Sequence, residues 1–287
     1  MENLHKVLLI HKTLLYCIKT TQHIMYRRYV YYLICVIFLL VITYLLYHRS
    51  IQKLPAVYCL MITGKNNDVS RNRFAKVSVQ NFQRQTYPNK FLIVINEGNR
   101  KVLDTDTPKL LELQIKNTNL GAMRNIALEL VPPNAIWTTW DDDDWRSDTY
   151  LEVLFRKLSY DPTKRYLMYC NRIDHNINTD FSHRVTIPSG TYIFFAYKDP
   201  LIKYDEQSTK EDAVVKRYIL SKKSQTVLYR DNDYTLYVRF VHQNNTSLFV
   251  EKNKKSLTRH TGYVIEDQLS SAELKHVNLV KKNYMLM

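Results

Sequence analysis

Apolar and polar residues alternate along this chain with three different periods. The first period is no period at all. Tyr29 to Tyr47 reads YVYYLICVIFLLVITYLLY, nineteen residues without a charge. A run apolar all round cannot hide one face in a soluble core, and its length approaches the ~20 residues that cross a bilayer as a helix. Tyrosines crowd both ends, and Arg27-Arg28 and His48-Arg49 bracket it. A cleaved signal peptide fits less well, because the run is too long, starts late and has no small-residue cleavage site after it.

Beyond Pro55 short β-branched runs alternate with helical spacing. Val57 to Thr63 predicts a strand that ends at Gly64-Lys65-Asn66-Asn67. Phe74, Val77 and Phe82 put Arg71 to Gln83 on a helix, and Phe91-Leu92-Ile93-Val94-Ile95 predicts a strand covered on both faces. Leu110 to Ile115 gives a third strand. Met123, Ile126, Ala127 and Leu130 give a helix stopped by Pro132-Pro133, and Ile136 to Trp140 a fourth strand. This order predicts an α/β domain with a mostly parallel sheet and helices on both faces. Ligands in such sheets bind beyond the carboxyl ends of the strands, after Thr63, Ile95 and Trp140.

The fourth strand runs into Asp141-Asp142-Asp143-Asp144, flanked by Trp140 and Trp145. Ser147 can cap the helix carrying Leu151, Leu154 and Leu158, and an acidic first turn suits a helix dipole. That accounts for one or two aspartates. Four at the end of a buried strand suit a hard divalent cation, Mn²⁺ or Mg²⁺, which takes oxygen ligands and bridges phosphates. Downstream, Thr209-Lys210-Glu211-Asp212 has a capping-box-like pattern before Val215, Tyr218 and Ile219. It also supplies a carboxylate pair fit for proton abstraction.

Charge changes the picture at the N-terminus. Residues 1–56 carry seven Lys and Arg against Glu2, a net +6, which leaves +8 of the total +14 to the rest. Five of those basic residues precede the apolar run, which favours a cytoplasmic N-terminus and a type II anchor, in an ER- or Golgi-like membrane for a eukaryotic or viral source. Leu4 to Ile18 has apolar residues at helical spacing between lysines, suited to a membrane surface or to a plain helix. The basic remainder can attract a phosphorylated substrate, but no nucleic-acid signature accompanies it and no nucleic acid is expected. Four cysteines, Cys17, Cys35, Cys59 and Cys170, have no paired spacing, so neither a zinc site nor a disulfide framework is indicated.

From about Val57 to His242 the chain resembles the family 2 glycosyltransferases of GT-A fold, members of the nucleotide-diphospho-sugar transferase superfamily. The resemblance rests on an ordered set: the strand ending at Thr63, Gln85-Thr86-Tyr87-Pro88-Asn89, Asn96-Glu97-Gly98, Asn119-Leu120-Gly121-Ala122-Met123-Arg124-Asn125, the aspartate run, and Glu211-Asp212. It implies a Rossmann-like GT-A domain over 57–250. This follows a basic segment 1–28, a transmembrane helix 29–47 and a linker 48–56, and precedes a basic extension 251–287. It also implies metal-dependent, inverting transfer of a sugar from a UDP- or GDP-sugar to a hydroxyl of a glycan, protein or lipid. By the motif match Asp143 is the first metal ligand, with Asp141. Asp141 and Asp142 lie near the ribose and phosphates, Thr63 and Glu97 near the nucleoside, and Arg124 near the nucleotide. Asp212 is the general base with Glu211 beside it, and His242 is a further metal ligand. The family usually carries an aspartate where this chain has Asn96-Glu97.

Arg239 suits either a phosphate or a carboxylate, and Arg172 to Phe195 is a candidate acceptor region. The overlapping sequons Asn244-Asn245-Thr246 and Asn245-Thr246-Ser247 sit too close to the expected site for glycans to be used. Two other functions fit the residues: a nucleotidyltransferase, which also needs clustered aspartates, and an inactive membrane-tethered binding protein.

Overall fold

The computed structural model describes residues 29–46, 54–64, 69–116, 118–187, 193–207, 210–230, 234–241, 264–266 and 269–285. It separates into two compact units, Met1–Leu54 and Pro55–Met287. In the first unit helix α1, Tyr29–Leu46, has a mean hydropathy of 2.5 over its 18 residues and none of it is buried. By length and composition it is able to cross a membrane. Thr43, its one hydroxyl besides the tyrosines, turns inward and donates to the Leu39 carbonyl at 2.8 Å, so it exposes no unsatisfied donor.

The second unit is an α/β domain. Its strands are β1 (Val57–Thr63), β2 (Lys90–Asn96), β3 (Leu110–Gln114), β4 (Ile136–Thr139), β5 (Asp144–Arg146), β6 (Tyr166–Tyr169), β7 (Asn171–Asn176), β8 (Phe181–Thr186), β9 (Phe194–Tyr197), β10 (Thr226–Tyr229), β11 (Tyr237–Val241) and β12 (Val264–Glu266). Its helices are α2 (Val69–Arg84), α3 (Leu120–Glu129), α4 (Tyr150–Ser159), α5 (Ala213–Ser221) and α6 (Ser271–Met285). The larger sheet has the order β10-β6-β9-β4-β1-β2-β3. Neighbours pair in parallel except at β9, which runs against β4 and β6. The expected strand–helix order and mostly parallel sheet are found.

Strand alternation separates two cores. Leu60, Ile93, Ile95 and Trp137 pack against Met123, Ala127 and Leu128 of α3 and Val215 and Ile219 of α5. The intervening residues, Cys59, Met61, Leu92 and Val94, are equally buried on the other face. There Trp140 meets Phe82 of α2 edge-on at 5.8 Å and Tyr150 of α4 at 6.2 Å. Helices on both faces explain why these strands are apolar throughout.

The second sheet, β12-β8-β7-β11-β5, was not anticipated. Its strands are short and polar, and β7 (Asn-Arg-Ile-Asp-His-Asn) is buried along its whole length. One face packs Ile173, Val238 and Phe240 against Val277 and Val280 of α6. Arg184 holds Glu273 of α6 with its Nε at 2.9 Å. The other face carries a row in register, Asp144, Arg239, Asp174 and His183, one from each of four strands. The C-terminal part, expected as an extension beyond 250, therefore belongs to the domain through β12 and α6, because Val277 and Val280 complete its smaller core.

Candidate functional site

Chain direction opens a crevice at the end of β1. From β1 the chain moves to β2 on one side, while β4 lies on the other. This is a switch point of an open sheet, where ligands enter beyond the carboxyl ends. Thr63 closes β1 there, and the aspartate run follows β4.

The four aspartates have different surroundings. Asp141 is the most open, with 41% of its side chain exposed, and its Oδ1 lies 3.4 Å from Arg124 Nη2. Asp142 is buried and accepts from the Thr63 hydroxyl at 2.7 Å and from Arg71 Nη2 at 3.3 Å. Asp143 accepts from the same Arg71 nitrogen, also at 3.3 Å. Asp144 belongs to β5 and accepts from the Tyr237 hydroxyl. Burial, then the charge of Asp143, pushes the Asp142 carboxyl up to about 7 against the pull of Arg71 and Thr63. Asp144 is pushed well above the usual carboxylate range, by burial first and then by Asp143 and Asp141.

Such crowding needs a rigid frame, and α2 and Arg146 supply it. The fully buried Arg146 guanidinium lies 4.4 Å from the Trp140 ring, 5.2 Å from Tyr237 and 5.8 Å from Tyr150. It faces the carbonyls of Thr139 and Asp141, both at 3.5 Å. On α2, Ser78 donates to the Asp141 carbonyl at 3.2 Å. Asn81 pairs with both backbone groups of Arg146, at 2.6 and 2.9 Å. Gln85 bridges the Ser147 carbonyl and the Leu151 N–H. The buried face of α2 is thus a polar clamp on the acidic loop. Ser147 is not the cap of α4: Thr149 holds that position without a side-chain bond, because Gln85 already serves the first turn.

Helix α3 brings in the distant carboxylates. Asn119 caps it, accepting from Ala122 N–H at 2.8 Å. A Cβ on Gly121 would lie 1.7 Å from the Asp205 carbonyl oxygen, so only glycine admits the 205–207 backbone there. Asn125 pairs with both backbone groups of Tyr204, at 3.0 and 2.8 Å. Arg124, between these fixed points, stacks over the Tyr204 ring at 5.4 Å and reaches Asp141 with Nη2 and Glu211 Oε1 with Nε, each at 3.4 Å.

Asp212 stands at the N-cap of α5 but makes no side-chain capping bond. The helix begins at Ala213, three residues later than a cap at Thr209 requires, and Thr209 lies outside the described residues. Burial pushes the Asp212 carboxyl up to about 6; Arg124 opposes this and Glu211 adds to it.

Two expectations fare differently. Glu97 is half-buried after β2, with its N–H bonded to the Thr63 carbonyl at 3.0 Å. Asn96, its neighbour, is structural: it accepts from Gly98 N–H at 2.8 Å and donates to Glu112 at 2.6 Å and the Arg100 carbonyl at 2.8 Å. His242 and the sequons lie outside the described residues, among which no three His, Cys, Asp or Glu gather as a metal-holding group. Arg239 approaches a carboxylate, with Nη1 3.9 Å from Asp174. Sequence reasoning missed Arg71; its only signal was a basic residue in the first turn of α2, where an acidic one is usual.

Two solved structures are similar to this chain. One is the mannosyltransferase PcManGT from Pyrobaculum calidifontis in complex with GDP-Man and Mn²⁺. It is 13% identical, with 70% of this chain and 65% of that chain covered and a TM-score of 0.45. The other is glucosyl-3-phosphoglycerate synthase from Mycobacterium tuberculosis in complex with Mg²⁺ and uridine-diphosphate. It is 10% identical, with 74% and 82% covered and a TM-score of 0.40. This chain thus spans about two thirds of the mannosyltransferase's length. No protein-family profile and no curated protein sequence matches it.

Proposed function

We infer that this chain is a glycosyltransferase of GT-A type that moves a sugar from a nucleoside-diphosphate sugar to an acceptor hydroxyl with inversion, anchored by α1. The observation that carries the reading is Arg124. It joins Asp141, at the sheet's switch point, to Glu211, seventy residues on and next to Asp212. A donor-side acid cluster and a separate carboxylate pair thus meet at one guanidinium. A nucleotidyltransferase has no use for the second pair, and a binding protein has no use for a carboxylate at the N-cap of α5 that makes no capping bond.

The donor set suits a divalent cation. Asp142 rises to about 7 because burial and Asp143 disfavour its charge, and a cation in the cluster relieves both. Asp143 and Asp141 would hold it, with His242 a third candidate, and Mn²⁺ or Mg²⁺ bound there would supply positive charge to neutralise the diphosphate leaving group. Thr63 and Asp142 form one hydrogen-bonded unit beside the expected nucleoside position, and Glu97 borders it. Arg124 orients Glu211. Asp212, with no cap to serve, accepts the acceptor hydroxyl's proton as that oxygen attacks the anomeric carbon, and the nucleoside diphosphate departs from the opposite side.

The test is transfer and donor hydrolysis by purified protein, across UDP- and GDP-sugars with Mn²⁺. Activity that disappears with chelator and with Asp212→Asn is expected. Absence of any donor hydrolysis across the screen removes the reading.

A further inference from the structure

Arg71 has a place in the aspartate cluster with no counterpart in the reaction described so far. Its side chain is 14% exposed, and a single nitrogen, Nη2, lies 3.3 Å from both Asp142 and Asp143. Both contacts exceed the ~2.7–2.9 Å of a strong charge-assisted hydrogen bond. Its Nε is buried and has no hydrogen-bond partner among the described residues. A guanidinium committed to a structural pair engages a carboxylate through two nitrogens, as Arg172 does on Asp174 with Nε at 2.6 Å and Nη2 at 3.3 Å. Arg71 instead spans two carboxylates loosely.

We propose that Arg71 is an exchangeable counter-ion, which holds Asp142 and Asp143 before the donor arrives and transfers to the donor's diphosphate when a divalent cation takes Asp143. The inference rests on the glycosyltransferase reading. A dication held by Asp143 would have to share that carboxylate with the Arg71 guanidinium, 3.3 Å from it, and like charges so close repel strongly in a partly buried site. Metal alone therefore binds poorly. A diphosphate reverses the balance, since its oxygens accept from both the cation and the planar guanidinium fork, including Nε. Metal and nucleotide then favour each other, and the coupling is reciprocal. The cluster thereby avoids trapping metal that no donor accompanies.

The experiment titrates the full-length protein in detergent with Mn²⁺ alone, with UDP or GDP alone, and with both, following Mn²⁺ by electron paramagnetic resonance and nucleotide by calorimetry. In wild type, nucleotide raises Mn²⁺ affinity by a factor within the usual range of about 5–150. Arg71→Ala is expected to bind Mn²⁺ alone about tenfold tighter and nucleotide with Mn²⁺ at least about tenfold more weakly, so that the coupling collapses. Arg71→Lys keeps the charge and loses the fork, so it leaves Mn²⁺ affinity near wild type and weakens nucleotide binding. It also serves where the alanine variant does not fold. Wild type that binds both ligands, with either affinity unchanged in Arg71→Ala, overturns the exchange alone. Wild type that binds neither overturns the glycosyltransferase reading and the exchange with it.

Discussion

Replacing Asp212 by Asn separates catalysis from stability, because the two effects have opposite signs. The folded carboxyl titrates at about 6 against an ordinary 3.8, raised by burial and by Glu211 and only partly offset by Arg124. A carboxyl raised in the folded state is a stabilising feature only while protonated. Below pH 4 it costs nothing; between pH 4 and 6 the unfolded chain loses its proton first, and the folded state bears a growing penalty. Above pH 6 that penalty is constant. At 1.36 kcal/mol per pH unit, the gap of about two units sets an upper bound of about 3 kcal/mol. Partial exposure of the side chain reduces this to roughly 1 kcal/mol. Asn keeps the shape and cannot ionise. Metal-free Asp212→Asn should therefore melt about 2–4 °C above wild type at pH 8, and equally with it at pH 4. Its transfer rate with acceptor and saturating donor should fall about 10²–10⁴-fold, the usual cost of losing a general base. Melting curves at both pH values and initial rates on one preparation suffice. Near-wild-type turnover would refute the assignment of the base and pass the role to Glu211. A lowered melting point at pH 8 would mean that Asp212 serves the fold.

Asp143→Ala should abolish Mn²⁺-dependent donor binding with little change in circular dichroism, since Asp143 lies outside the strands' core; donor affinity unchanged with and without chelator removes the metal site. Deleting residues 1–54 should give a soluble domain that keeps donor hydrolysis, because Pro55–Met287 is a compact unit; full-length protein that washes off membranes in carbonate removes the anchor. Gly121→Ala must move the Asp205 backbone, since the added Cβ would lie 1.7 Å from its carbonyl oxygen. It should cost activity by displacing Glu211 and Asp212 while the main sheet stays folded, and unchanged turnover would show that the 205–212 segment does not depend on this approach.

The first four strands of the main sheet were legible, and β1, β2 and β4 most clearly, because they are buried on both faces and read as apolar runs: β1 was expected and found at Val57–Thr63, whereas β6, β9 and β10 were not foreseen. Helix edges shifted by a residue or two, as frayed ends do. The second sheet was not legible for the opposite physical reason. Asn171 to Asn176 is a fully buried strand with one apolar residue, Ile173, because its neighbours satisfy its charges: Arg172 and Arg239 bring Asp174 below its ordinary range although burial pushes it up. Cross-strand pairing of that kind depends on register between segments far apart in sequence, and no local pattern carries it. Strand β5 was hidden by its own chemistry, since Asp144 stands in the acidic run and is a strand residue opposite Arg239.

The same reasoning explains which site residues the sequence yielded. Thr63, Asp141 to Asp143, Glu211 and Asp212 stand at ends of elements, where polarity breaks an apolar run; Arg124, inside α3, came only from the family motif. Ser78, Asn81 and Asn125, and Gln85 just past the end of α2, do equal work in shaping the site, yet they lie in or beside helices, where a polar residue ordinarily means a solvated face. Asn81 and Gln85 are 0% and 3% exposed. A buried polar group must be bonded, and each of these is bonded to backbone outside the helices, in β5 or in a loop: Arg146, Ser147 and Tyr204. Loops that carry chemistry cannot be held by apolar packing alone, because their own N–H and C=O groups would be left unsatisfied in the core. Asn and Gln solve that problem by offering a donor and an acceptor in one plane, a copy of the peptide group they replace. The polar stripe of Ser78 and Asn81 on α2 and Gln85 directly after it, three and four residues apart, is therefore the imprint of the acidic loop on a helix that precedes it by about sixty residues. The loop's crowded carboxylates hold their geometry because that stripe and the Arg146 guanidinium fix the backbone beneath them.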